Sequence, residues 1–252
     1  MSAESIPRLR VFAGPNGSGK STLISQLQQH VNLYHVVNPD DLLRSLERTR
    51  TIDLKAYEIR ASAKDFRSFV QRSTYNPDVK RQVLAAQVRR DQIEFPSARI
   101  NAHCVALLAA YLRDRLLASR LSFTFESVFS HPSKVEELQH ANDLGYRVYV
   151  YFIATEAPAI NVERVDLRVA QGGHSVPHEK IRSRYAASLT NLVPALRICH
   201  RAYIFDNSGD ESRWIAEVTP KGTLLIRSAT VPLWFKKWVL EKLHSPSRES
   251  DR

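Results

Sequence analysis

With 252 residues, the chain has room for one large domain or two small ones, and its 43% apolar and 25% charged residues exclude wholesale disorder. No apolar run reaches the ~18 residues that cross a bilayer, the opening MSAESIPRLRVFAG lacks a secretory leader pattern, and Cys104 and Cys199 are too few for a disulfide framework or a cysteine-based zinc site. Thirty-six Lys and Arg against 26 Asp and Glu leave a net charge of +10, which points to an anionic partner without naming it.

These features predict a cytoplasmic protein without a membrane partner, built as one domain over residues 1–252 with insertions. In chain order, Leu9-Arg10-Val11-Phe12-Ala13 is short, mostly apolar and bounded by glycine, the pattern of a buried strand. It runs into Gly14-Pro15-Asn16-Gly17-Ser18-Gly19-Lys20-Ser21-Thr22, which fits GxxxxGK[ST], and residues 20–30 follow with helical spacing. Strand, glycine-rich turn and helix in this order make the phosphate cradle called a P-loop. Its glycines let backbone N–H groups converge on phosphate oxygens at the positive end of a helix. Residues 14–22 therefore predict binding of a nucleoside triphosphate, with Lys20 at the β- and γ-phosphates and the Ser21 hydroxyl on Mg²⁺.

Leu33 to Val37 reads as a second strand, followed by Asn38-Pro39-Asp40-Asp41. Two readings stay open here. Asn38 can cap a helix with Pro39 in its first turn and an acid favouring the dipole, or Asp40 can stand at a strand mouth as the carboxylate beside an acceptor hydroxyl. Asn76-Pro77-Asp78 repeats the pattern with only the capping role. Residues 55 to 120 read as helices broken near Asn76-Pro77 and Phe95-Pro96, so 50–120 is expected to form a helical insertion or lid layer between the second and third strands. That third strand, Leu121–Phe125, ends in Glu126. A carboxylate there either faces the crevice in which α/β sheets bind ligands or is an exposed strand end.

Helical patterns at 133–143, 158–171 and 177–198 alternate with strands at Arg147–Ile153 and Arg201–Phe205. The alternation predicts an α/β protein with a mostly parallel sheet flanked by helices. Within Val162–Pro177, Arg164 and Arg168 are four apart and share a helix face. They could grip a transferring phosphoryl group or form a solvated face with Glu163 and Asp166. Gly172 and Gly173 would end this helix and hinge a moving segment. His174 and His178 lack metal-ligand spacing and are read as lid residues. Asp206-Asn207-Ser208 is either an Asx-type turn or the side of an adenine pocket. Residues 209–252 predict a hairpin (214–218 with 223–226), an amphipathic helix at 231–243 and a disordered tail from 245.

The blocks AGPNGSGKST (13–22), NPD (38–40), FTFESVFS (123–130), VERVDLRVAQGGHSVP (162–177), IRSRYAASLTNL (181–192) and FDNS (205–208), in this order, resemble the zeta toxin family of P-loop kinases. The resemblance runs from about residue 9 to 208 and is thinnest near 50–95. It implies a P-loop kinase-type fold and an ATP-dependent kinase acting as a toxin. The acceptor it implies is the 3′-hydroxyl of UDP-N-acetylglucosamine, and the implied partner is an antitoxin. Carried over by position, Lys20 and Ser21 hold phosphate and Mg²⁺, Asp40 activates the acceptor hydroxyl, Glu126 is an active-site acid and Arg164 contacts phosphate. The second family arginine falls where this chain has His174, and Arg168 is taken to replace it.

The GGHxVP version and the segment between Asp40 and Glu126 depart from the prototype toxins, so substrate contacts are expected to differ. A nucleoside, nucleotide or polynucleotide kinase is the alternative enzyme, and an ATP-gated nucleic-acid-binding module the non-enzymatic one. No NKxD, LSGGQ-like or usual Walker B pattern occurs.

Overall fold

The structure, a computed structural model, describes residues 6–89, 91–95, 100–173 and 175–244. The elements run β1 (Arg8–Ala13), α1 (Lys20–Leu27), β2 (His35–Val37), α2 (Pro39–Thr49) and β3 (Thr51–Asp53). After a 3₁₀ turn at Lys55–Tyr57 come α3 (Ala63–Arg72), α4 (Pro77–Leu84), β4 (Gln87–Arg89), β5 (Gln92–Glu94), α5 (Ala102–Ala118) and β6 (Phe123–Ser127). Then follow α6 (Ser133–Asp143), β7 (Arg147–Ala154), α7 (Pro158–Ala170), α8 (His178–Thr190), α9 (Leu192–Ile198), β8 (Arg201–Asp206), β9 (Arg213–Val218) and β10 (Leu224–Ile226). A C-terminal helix opens at Leu233–Phe235, loosens into a π-helical stretch over Lys236–Leu240 and ends at Glu241–His244.

The chain divides into two compact units, residues 1–32 with 127–252 and residues 33–126. In the first, the strands lie in the order β10-β9-β8-β7-β1. β1, β7 and β8 are parallel, whereas β9 and β10 turn antiparallel at the edge. β7, flanked by strands on both sides, buries Val148, Val150, Phe152, Ile153 and Ala154 almost completely. One face, Val148, Val150, Phe152 and Ala154, is covered throughout, whereas on the other Arg147 and Tyr149 are half-buried and Tyr151 and Ile153 are buried, so the strand alternates at its start and becomes continuously apolar toward its C-terminal end.

In the second unit β2 and β6 pair in parallel, Val37 opposite Phe125. The 17-residue α5 packs against β2. Its Ala/Leu-rich sequence is strongly helix-forming, Asn101 caps it through the amides of His103 and Cys104, and Val105, Leu108, Leu112 and Leu116 are buried. Amphipathic α2, α3 and α4 bury Leu42 and Leu46, Phe66 and Val70, and Val79 and Val83.

The class is α/β of the P-loop kinase type, with a mostly parallel sheet flanked by helices. The segment between the second and third strands of the expected core is not wholly helical. It also carries a three-stranded antiparallel sheet, β3-β5-β4. Each of these strands is three residues long and two of them, QVR and QIE, are mostly polar, too short to show a strand period. The hairpin near 214–226 is present. The expected helix 177–198 is two helices, α8 and α9, meeting at Asn191. The expected tail from 245 lies outside the described residues, as does His174. Among the described residues no helix is long and apolar enough to cross a membrane.

Candidate functional site

The turn between β1 and α1 needs glycine at three positions. Gly14, Gly17 and Gly19 have φ of 146°, 74° and 96°, backbone that side chains rarely adopt. Space is short as well. A Cβ on Gly14 would come 2.0 Å from the Ile153 carbonyl oxygen, one on Gly17 2.5 Å from that of Asn161, and one on Gly19 2.3 Å from Asn207 Nδ2. Gly14 N–H also donates to the Ser127 carbonyl at 3.3 Å.

Lys20, first residue of α1, is only 6% exposed, and its ammonium donates to the Gly14 and Pro15 carbonyls, both at 2.8 Å. A buried ammonium inside a ring of backbone is a cation held in place for an anion. Ser18 Oγ is buried within the same loop without a hydrogen-bond partner among the described residues, a polar atom that a phosphate oxygen would satisfy. Ser21 stands one position beyond Lys20 and is exposed. The cradle therefore fits the phosphates of a nucleoside triphosphate.

Residues far along the chain brace the loop. Asn161, fully buried in the first turn of α7, donates to the Asn16 carbonyl at 2.6 Å and accepts from the Thr155 hydroxyl. Asn207, just past β8, donates through Nδ2 to the Ser18 carbonyl at 2.8 Å. Arg164 donates to the carbonyls of Asn207 (2.7 Å) and Gly209 (3.0 Å), so its guanidinium is tied to the loop that holds Ser18. Arg168 lies one turn further on the same face and is exposed. Arg184 on α8 reaches Asn16 Oδ1 at 3.5 Å.

Asn161 and Arg184 were not singled out from sequence, and Asn207 was read only as part of an Asx-type turn or an adenine pocket. Asn161 follows a proline-led helix start, and Arg184 sits in the RxRY block, but their link to residues 16 and 18 is purely tertiary. Asn161→Ala should cost about 1–3 kcal/mol, because it strands buried hydrogen-bonding groups, and should weaken ATP binding. Thermal melts and ATP titration check both.

Gly172 and Gly173 end α7 as expected. Gly173 N–H donates to the Arg168 carbonyl and Gly172 N–H to that of Val169, both at 2.9 Å, with Gly172 at φ 90°. This is the paired bonding of a Schellman cap. His178 pairs with Asp166 at 2.9 Å between α8 and α7.

The Asp206–Ser208 turn is structural. The Asp206 carboxylate is 1% exposed and accepts from Ser208 Oγ (2.6 Å), Arg213 (2.8 Å) and Trp234 Nε1 (2.9 Å). Burial works to raise its pKa, but these hydrogen bonds and the Arg213 charge outweigh it and hold the carboxyl below its ordinary 3.8. A depressed carboxyl adds stability above its unfolded pKa and loses it as pH falls through the folded value. Asp206→Asn should therefore destabilise by about 1–3 kcal/mol near neutrality, and the gap to the native chain should close below about pH 4. Urea midpoints measured from pH 7 to pH 3 test this.

The two carboxylates expected to act on the acceptor both lie in the unit of residues 33–126. Asn38 caps α2, its Oδ1 accepting from Asp40 N–H at 2.8 Å, and its Nδ2 donates to Glu126 Oε2 at 3.4 Å. β2 and β6 are paired in register, so Asp40 and Glu126 stand at the same, C-terminal edge of that pair, Asp40 exposed and Glu126 half-buried. Asn76-Pro77-Asp78 makes the same cap, with Asp78 N–H to Asn76 Oδ1 also at 2.8 Å. The sequence pattern is thus a helix start in both places, and only the first stands at a strand edge beside a second carboxylate.

Comparison with known proteins follows the same lines. The family model described as Zeta toxin matches residues 90–215, half of the chain, a span that contains Glu126, Asn161, Arg164, Arg184 and Asn207 but not residues 14–22. An uncharacterized protein of Haemophilus influenzae is 28% identical over 69 residues, 27% of this chain and 49% of that protein. A native AvrRxo1-ORF1:-ORF2 complex aligns at a TM-score of 0.54 and 15% identity, over 97% of this chain and 66% of that one. The complex with ATP aligns at 0.53 and 14% identity, over 90% and 62%. The chain thus spans about half the length of the curated relative and under two thirds of the ATP-bound one. At these identities the structural likeness is one of fold.

Proposed function

Since the chain belongs to the zeta toxin family, we propose that it is a toxin with kinase-type activity, moving the γ-phosphate of ATP to a hydroxyl of a small molecule. The observation that carries this reading is the cradle itself: three conformationally required glycines, a buried Lys20 ammonium and an unpartnered Ser18 hydroxyl around one turn. A fold neighbour solved with ATP supports the choice of nucleotide.

ATP with Mg²⁺ supplies the phosphoryl group and part of its counter-charge. Lys20 neutralises phosphate oxygens, the loop amides and Ser18 Oγ orient them, and Ser21 holds the metal ion. Arg164 acts with the loop through Asn207, and Arg168 and Arg184 add positive charge from α7 and α8. In the other unit, Asp40 takes the proton of the acceptor hydroxyl, while Asn38 and Glu126 fix the strand edge from which it projects.

The proposed acceptor is the 3′-hydroxyl of UDP-N-acetylglucosamine, and the proposed partner is an antitoxin protein. Incubation with γ-labelled ATP and a panel of UDP-N-acetylglucosamine, other UDP-sugars, nucleosides and oligonucleotides tests the reading. Label should enter the UDP-N-acetylglucosamine fraction. Label in another member would correct the acceptor, and bound ATP with label in none would remove the kinase reading.

A further inference from the structure

The net charge of +10 is not accounted for by Lys20, Arg164, Arg168 and Arg184. Five further arginines, Arg8, Arg10, Arg147, Arg201 and Arg227, gather along the sheet formed by β1, β7, β8 and β9. Strand register places Arg8 opposite Arg147, Arg10 opposite Tyr149, and Tyr149 opposite Arg201, so these side chains share a face in successive rows. The next row holds Phe12, Tyr151 and Tyr203, stacked ring on ring with centroids 4.7 and 5.1 Å apart. Trp214 on β9, paired with Phe205, lies diagonally from Tyr203 with ring centroids 6.0 Å apart and is 42% exposed.

Guanidinium groups lie against these rings in turn. Arg10 sits 5.3 Å from the Tyr149 centroid, Arg201 5.9 Å from Tyr203 and Arg227 5.4 Å from Trp214, all in the range of cation–π contact. Arg10, Phe12 and Tyr151 are buried beneath this face, whereas Tyr149, Arg201 and Tyr203 are half-buried and Trp214 is exposed, so planar groups reach the surface at these four positions. Glu217, the carboxylate that the register puts opposite Tyr203, is buried against Arg227 and adds no open negative charge. His200 at the start of β8 reports the local field. Burial first, then the charges of Arg147 and Arg201, pull its pKa below the ordinary histidine value.

A folded sheet face that alternates guanidinium and aromatic planes has what a flexible polyanion with stackable rings requires. Its cations meet phosphates, and its rings and guanidinium planes meet bases, irrespective of sequence. An acidic protein would match the charge but leave the accessible rings of Tyr149, Tyr203 and Trp214 without a purpose. We propose that this face is a binding surface for single-stranded nucleic acid, separate from the phosphate cradle.

The test uses the full chain without ATP, and fluorescein-labelled oligo(dT), oligo(rU) and a duplex of equal length, read by anisotropy from 50 to 200 mM salt. Single strands should bind more tightly than the duplex, with log K falling against log salt at ~0.7 per phosphate contacted. Trp214→Ala and Arg201→Gln, both at the surface, should each weaken binding about tenfold with melting temperature and ATP affinity unchanged. Lys20→Ala should bind oligonucleotide normally.

Four results would overturn the proposal. One is no nucleic-acid binding at 50 mM salt, and another is equal binding of duplex and single strand. Loss of oligonucleotide binding in Lys20→Ala would assign it to the cradle. Polyglutamate binding as tight as oligo(dT) would identify a docking site for acidic protein instead. None of these outcomes bears on phosphoryl transfer, so the two readings fail independently.

Discussion

Replacing Lys20 with alanine is expected to lower phosphoryl transfer by on the order of 10³-fold, the scale seen when a preorganised group facing developing charge is removed. Two losses add here. The ammonium that would neutralise phosphate oxygens is gone, and the carbonyls of Gly14 and Pro15, each 2.8 Å from it, lose its hydrogen bonds, the Pro15 carbonyl keeping the one from Ser18 N–H at 3.3 Å. Lys20 is buried, so the second loss should appear as about 1–3 kcal/mol of stability. A thermal melt and an ATP titration beside the rate measurement separate the contributions. Reduced transfer with a folded chain and weakened ATP binding is the expected combination. Native-like transfer in this variant would mean that the cradle is not where the chemistry draws its charge.

Asp40→Asn carries the second large effect, a loss of on the order of 10²–10⁴ in transfer with ATP affinity preserved. The change is small in structural terms. Asp40 is exposed, and the α2 cap is made by the Asn38 side chain to the Asp40 backbone, which the substitution retains. The chain supplies its own control. Asp78 occupies the same position in an identical cap on α4, so Asp78→Asn removes the same carboxylate from the same helix position. If Asp40 serves only the helix dipole, the two variants behave alike. If it takes the acceptor's proton, only Asp40→Asn loses transfer, and it does so in kcat rather than in ATP binding. Rates measured side by side decide between the two.

How much of this was legible beforehand depends on distance along the chain. The cradle is written in nine consecutive residues because its physics is local: φ values that favour glycine, a lysine one helical position on, a strand before and a helix after. The strand-edge placement of Asp40 and Glu126 could likewise be read from where apolar runs stop. The bracing was not legible. Asn161 to Asn16 and Asn207 to Ser18 bridge 145 and 189 residues, and an asparagine in a helix's first turn or an Asx-type turn looks the same whether or not it holds a phosphate loop. Asp206 shows the converse. Its turn chemistry suggested either a ligand pocket or a plain turn, and the buried bonds to Arg213 and Trp234 show a structural anchor. The β3-β5-β4 sheet escaped notice because three-residue strands with mostly polar sequences carry no period to detect. Arg184 reaches Asn16 from α8 across 168 residues, a contact that spacing along α7 does not foretell.

The central claim, that a hydroxyl rather than water receives the γ-phosphate, is tested most directly by a single-turnover experiment with enzyme in excess over γ-labelled ATP and UDP-N-acetylglucosamine present. The account predicts that label moves from ATP into the sugar nucleotide, that Asp40→Asn slows this step while Asp78→Asn does not, and that little inorganic phosphate forms. Label accumulating only as inorganic phosphate, at a rate indifferent to Asp40, would contradict it.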